Sequence, residues 1–152
     1  MNRLSKLLCV FVLALLATGC ASGLKHSEMA SSIPVLKNGD GRIYFFRSSS
    51  MFGAAMQPDI KLNGEVVGES KPGGFFFVDR AAGKYVASTS TETEKTLSFL
   101  LDAGETKYVR SSVSFGVMVG RVVLELETPE KAKEELSSLS YTGTTVVNNK
   151  TK

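Results

Sequence analysis

The stretch "PDIKLNGEVVGES", Pro58 to Ser70, decides the fold class. At its centre, Asn63-Gly64 is the dipeptide that accepts positive φ at both positions of a type I′ turn, the two-residue loop whose twist suits a β-hairpin. That turn predicts pairing of Leu62 with Glu65, Lys61 with Val66 and Ile60 with Val67. Side chains alternate along a strand, so Ile60, Leu62 and Val67 should share the inward face.

The flanking segments read the same way. "GRIYFFRS" (41–48) follows a glycine turn and is rich in aromatics, with apolar residues on both faces, which suits a central strand. "GFFFVD" (74–79), "KYVASTS" (84–90), "KTLSFLL" (95–101), "TKYVRSSVSF" (106–115) and "VMVGRVVLELE" (117–127) are further strands, with turns at "AAGK" (81–84) and "DAGE" (102–105). Leu97, Phe99 and Leu101 fall on one face of their segment. Met118, Val122, Leu124 and Leu126 fall on one face of the last, opposite Arg121, Glu125 and Glu127. About seven or eight short strands at this spacing predict an all-β fold, an antiparallel β-sandwich or barrel. A short C-terminal helix should follow. Thr128 stands at its cap, Pro129 in its first turn, and Ala132, Leu136 and Leu139 form a narrow apolar stripe that could cover a sheet edge.

The chain opens differently. Arg3 and Lys6 precede an apolar run of ten residues, Leu7 to Leu16, and the small residues Ala17, Thr18 and Gly19 lead into Cys20. A basic start, a short apolar run and a small-residue exit describe a secretory signal peptide over residues 1–19. The run is shorter than the roughly 20 residues that a spanning helix needs. "LATGC" (16–20) resembles the lipobox of bacterial lipoproteins, with Ala17 standing where Leu is commonest. The resemblance implies cleavage after Gly19, thioether attachment of diacylglycerol to Cys20 and acylation of the new amino terminus, for instance with palmitate. Ala21 and Ser22 follow without the Asp of the inner-membrane retention signal. The expected location is therefore the outer membrane, on its periplasmic side. Two or three buried acyl chains, at roughly 0.8 kcal/mol per methylene, make a stable anchor.

Processing also simplifies the composition. The formal charge of +3 falls to +1 without Arg3 and Lys6, and no dense basic block remains, so nucleic acid is not an expected partner. Cys9 leaves with the leader and Cys20 takes the lipid, so the expected mature chain has no disulfide. Residues 20–39 carry no sustained periodicity and read as a tether. Residues 40–140 then form the β-sandwich domain, and 141–152 a flexible tail.

Four blocks are specific enough for a second resemblance: "GRIYFFR", "IKLNGEVVGE", "GGFFFVDRAAGKYVAS" and "LDAGETKYVR". They resemble a family of small bacterial lipoproteins catalogued as a domain of unknown function, whose members begin G-x-I-Y-F-Y-R; Phe46 replaces the commoner Tyr. More loosely, the "LNG…VG…GKY…AGE" order is similar to the PEGA class of surface β-domains. Neither resemblance implies an active site.

The residues carry no catalytic signature either. His26, the single histidine, falls in the expected tether, which offers none of the rigid support that a catalytic base needs. The domain beyond it lacks the His and Cys ligands of a zinc site. Carboxylates at 59, 65, 69, 79, 92, 94, 102, 105, 125 and 127 fall mostly in turns or on outward strand positions, as solvated charge does. The turn glycines follow no phosphate-loop or dinucleotide pattern, so no cofactor is expected.

The unusual segment is "SSSMFGAAMQP" (48–58). Connections are normally polar, whereas this one carries Met51, Phe52 and Met56. Either it folds back over the end of the sandwich, or those residues form a contact surface; the apolar "SFGVMVG" (114–120) could join it. The expected function is a lipid-anchored, non-catalytic binding or structural module of the cell envelope. Its membrane contact is through Cys20, and its partner is an envelope protein or the cell-wall polymer. The alternative is a carrier or sensor of a small apolar ligand, gated by the loop 48–57. Hydrolysis by a carboxylate pair is a distant third.

Overall fold

Asn63 and Gly64 take φ of 50° and 86° in the computed structural model, which describes residues 21–115 and 120–143. Both values are those of a type I′ turn. The turn joins β2 (Asp59–Leu62) to β3 (Glu65–Glu69), with Leu62 opposite Glu65 and Lys61 opposite Val66 as expected. The register then departs from expectation. It shifts between Ile60 and Lys61, so Ile60 pairs with Gly68 and Val67 is the extra residue of a bulge. Phe76 is the physical reason. A side chain at Gly68 would begin 2.5 Å from the Phe76 Cζ, so the ring passes where only glycine leaves room.

The other strands are β1 (Asp40–Phe46), β4 (Gly74–Ala81), β5 (Gly83–Ser90), β6 (Glu94–Leu101), β7 (Thr106–Ser114), β8 (Arg121–Leu126) and the two-residue β9 (Ser140–Tyr141). They form an open sandwich and not a closed barrel: one sheet has the order β8-β7-β1-β4-β9, the other β3-β2-β5-β6. The second sheet is antiparallel throughout, but β1–β7 and β4–β9 are parallel pairs. Chain path explains the β1–β7 pair. At Ala81–Gly83 the chain passes from the first sheet to the second, and after β6 the Asp102–Glu105 turn returns it beside the start of β1.

β1 is central and buried on both faces. Ile43 and Phe45 point between the sheets, where Val109, Leu124 and Phe76 meet Ile60, Leu62, Ala87, Phe99 and Leu101. Tyr44 and Phe46 point outward with Phe75 and Tyr108, and that second apolar face needs a cover. The cover is α2 (Pro129–Leu136), through Ala132, Leu136 and the following Leu139. The expected stripe is present, but it lies across the sheet face and not over an edge. Leu126 is another departure: Val122 and Leu124 are buried, whereas Leu126, at the strand end, is exposed.

The expected tether is docked. α1 (His26–Met29) and a 3-10 helix (Ala30–Ser32) pack beside α2, with Met29 buried under the same aromatic face. The Tyr141 N–H donates to the Leu24 carbonyl (2.8 Å) and the His26 N–H to the Leu139 carbonyl (3.0 Å), so this segment covers the β9 edge. Arg42 pins its far end. Its guanidinium pairs with Asp79 at 2.6 Å, donates to the Pro34 carbonyl and lies 4.6 Å over the Phe77 ring. Tyr141 belongs to β9; Met118 and 144–152 lie outside the described residues.

Candidate functional site

The parity of β1 decides the geometry of the loop 48–57. Positions 43 and 45 face the inter-sheet core, and Arg47 continues that series inward, only 3% exposed. A guanidinium cannot be deprotonated to escape burial, so it needs acceptors. One Nη donates to the carbonyls of Met56 (2.6 Å) and Ser70 (3.1 Å), the other to that of Gly53 (2.8 Å). Loss of water lowers its pKa from the ordinary arginine value. Three carbonyls from two connections thus close around one cation. Two local turns complete the loop, with the Ala54 N–H on the Met51 carbonyl and the Met56 N–H on the Gly53 carbonyl.

With the loop backbone held inward, its tip points out. Met51 is 89% exposed and Phe52 53%. Met56 is half-buried, its methyl 2.9 Å and 3.1 Å from where side chains at Gly53 and Gly120 would begin. Phe115, 84% exposed, brings its ring to 5.4 Å from that of Phe52. The exposed apolar group is therefore Met51, Phe52 and Phe115, while Met56 belongs to the base of the loop. The sequence signal for Phe115 is the apolar run at 114–120; for Arg47 it is a lone cation ending an aromatic strand in the inward phase.

The N-terminal segment reaches the same end of the sandwich. The Ala21 N–H lies 3.4 Å from the Pro72 carbonyl, and Gly73 sits beside Ser49. Gly19 and Cys20 precede the described residues. His26, expected in open chain, sits edge-on to Tyr44 (5.9 Å) and Phe75 (5.1 Å), and desolvation there lowers its pKa.

Depressions among the described residues lie at both ends of the sandwich. A small one of about 140 Å³ lies between the loop and β7, lined by Arg47, Ser48, Ser50, Phe52, Arg110 and Ser112 among others. A second, about 410 Å³, lies beside Met56 and Thr91. The largest of these is a groove of about 550 Å³ toward the opposite end, bounded by Tyr85, Phe99, Leu100 and Leu126 and flanked by Lys84 and Lys107. The loop 48–57 does not line that groove, and the space between the sheets is filled by Phe45, Phe76, Ile60 and Leu101.

Several of the carboxylates are engaged with cations: Glu69 with Lys71, Glu65 with Arg80, Glu105 with Lys107, and Glu92 with Arg121. Glu127 and Glu135 share Arg110, which ties α2 to β7. The Lys107 hydrogen bond lowers the Glu105 pKa, and the Thr128 backbone N–H lowers that of Glu127. A general acid needs the opposite shift. Among the described residues, no three His, Cys, Asp or Glu side chains come together as metal ligands, and no helix is long and apolar enough to cross a membrane.

Against known proteins, residues 37–122 match the model of a family described as proteins of unknown function, DUF2846. An uncharacterized protein of Haemophilus influenzae is 30% identical over 132 residues, spanning 84% of this chain and 78% of that relative. No solved structure matches. The family model covers more than half of the chain, so the chain belongs to the DUF2846 family.

Proposed function

We propose that this member of the DUF2846 family is a lipoprotein, anchored through Cys20 to the periplasmic face of the outer membrane, that acts by binding or as a structural component and not by catalysis. The observation that carries the reading is the seat of Ala21 on the folded domain, at the end opposite the groove between Tyr85, Phe99, Leu100 and Leu126. An anchor on the preceding residue would leave the groove facing away from the membrane. Its apolar wall and two lysines suit a partner with both apolar and acidic groups, an envelope protein or the cell-wall polymer.

The test is the mass of the mature N-terminal tryptic peptide, Cys20 to Lys25. It should carry a diacylglyceryl group with or without a further acyl chain, and Cys20→Ser should abolish labelling by a palmitate analogue. An unmodified cysteine, or normal labelling of the variant, would refute the anchor.

The groove also supports a second reading, a carrier or sensor of a small apolar ligand. That ligand would sit among Tyr85, Phe99, Leu100 and Leu126, remote from the loop 48–57. Native mass spectrometry separates the two: a bound small molecule favours the carrier, whereas crosslinks from Lys84 or Lys107 to a polymer or protein favour the module.

A further inference from the structure

Cys20 immediately precedes Ala21 in the chain, and the Ala21 N–H lies at the Pro72 carbonyl. Within residues 21–33 there is no free spacer, because that segment is bonded along β9 and buried at Met29. The exposed tip lies at this same end. Gly73, next to Pro72, is against Ser49, three residues before Phe52, whose ring lies 5.4 Å from that of Phe115. From these positions we infer that Met51, Phe52 and Phe115 form a membrane seat: they enter the lipid surface into which the acyl chains on Cys20 insert. The inference rests on the lipid anchor proposed above.

One consequence of the proposed anchor and two observations favour lipid over another occupant. Acyl chains on Cys20 would hold the tip at the bilayer surface, so its effective concentration there would be high without any further contact. The acidic residues around this end are paired with cations: Glu69 faces Lys71 at 2.8 Å, Glu92 faces Arg121 at 3.8 Å, and Glu135, which accepts from the Ser48 hydroxyl, is bound to Arg110. This pairing limits repulsion from anionic headgroups. Finally, Arg47 holds the loop from within, so Met51 and Phe52 are presented without an ordering cost at the moment of contact. A flat, wide apolar face would suit a protein; a narrow protruding pair of rings with a methionine suits shallow insertion among headgroups and upper acyl chains.

The chain contains no tryptophan, so a single introduced one reports its own surroundings. Phe52→Trp, Phe115→Trp and Leu100→Trp would each be made in the full lipidated chain. Each would be reconstituted into phosphatidylethanolamine–phosphatidylglycerol vesicles, with and without brominated acyl chains. The expected result is a blue-shifted emission and loss of most of it to bromine for Phe52→Trp and Phe115→Trp. Leu100→Trp, toward the far end and exposed, should show neither change. Flotation and the mass of the N-terminal peptide report the anchor separately. Chains that are lipidated and float, yet show no quenching at positions 52 and 115, would overturn the seat and leave the anchor standing. Equal quenching at all three positions would also overturn it, since no orientation would be preferred. Chains that carry no lipid would overturn both.

Discussion

Arg47→Met tests whether one buried cation organises the loop. Methionine fills similar volume and follows the same inward path, but offers no donor. Each of the three bonds lost, to Met56, Ser70 and Gly53, is charge-assisted and contributes about 1.5–3 kcal/mol, or about 5–9 kcal/mol in sum. Two effects offset this. Burying the guanidinium costs several kcal/mol that the variant no longer bears. The Gly53 and Met56 carbonyls, only partly buried, can turn to water as the loop swings out. The Ser70 bond is buried, so its carbonyl keeps a penalty of about 1–3 kcal/mol. The expected net loss is about 2–4 kcal/mol. With a urea slope of about 1–3 kcal/mol/M for a domain of this size, the midpoint should fall by about 1–2 M. Hydrogen exchange should place the damage: the amides of Ala54 and Met56 lose protection while those of β5 and β6 keep it. Arg47→Lys should recover only part of the loss, because a single ammonium cannot span the acceptors that the planar fork reaches. An unchanged midpoint, with Ala54 and Met56 as protected as before, would refute the reasoning.

The remaining predictions concern the bulge and the docked N-terminal segment. Gly68→Ala forces a methyl against the Phe76 ring and should cost about 1–3 kcal/mol, whereas a side chain at Gly64 meets nothing within 4 Å, so Gly64→Ala should lose only about 1 kcal/mol of left-handed preference. Equal losses in urea would mean that Phe76 does not set the register. Burial lowers the His26 pKa below 6.5, so the unfolded chain binds the proton more tightly than the folded one. Its contribution to stability is present above about pH 6.5 and declines as pH falls through that value toward the folded pKa. His26→Phe should flatten the fall in midpoint between about pH 7 and 5; an unaltered slope would mean that the ring is not docked.

The features that the sequence carries locally are the ones it made legible. Asn63-Gly64 dictates its own φ angles, and Phe99, Leu101, Val122 and Leu124 reveal their burial through a period of two. Burial of both faces of β1 was visible because its two alternating sets are both aromatic or aliphatic. What escaped depends on partners distant in sequence. Gly68 takes the pairing expected of Val67, which still packs against the core, because Phe76 arrives from β4, which no reading confined to residues 58–70 can contain. His26–Met29 is one helical turn, too short to establish a period, and is held by Leu139, Tyr44 and Phe75. For the loop, apolar composition marked the right residues but could not divide them. Met56 turns in because Arg47 grips its carbonyl, while Met51 and Phe52 turn out. Even there one signal was available: an arginine in the inward phase must find acceptors, and the next connection is the nearest supply.

A domain without a spacer constrains what its partners must look like. Under the proposed anchor on Cys20, the residue before Ala21 at the Pro72 turn, the strands between the two ends would set the height of the far groove above the lipid. β4, β5 and β6 each have eight residues. At about 3.3 Å per residue, the groove would stand roughly 25 Å from the headgroups. Short loops of an integral membrane protein would not reach it. A cell-wall strand, or a folded periplasmic domain, would meet it directly. The lysines point the same way, since Lys84 and Lys107 flank the groove instead of facing the membrane end. The proposed lipid contact and the proposed partner contact would thus fall on opposite ends of the sandwich. Inserting a flexible linker between Cys20 and Ala21 would release the first while leaving the chemistry of the second intact. A partner recognised only at a fixed height would then be lost, whereas a freely diffusing ligand would still bind.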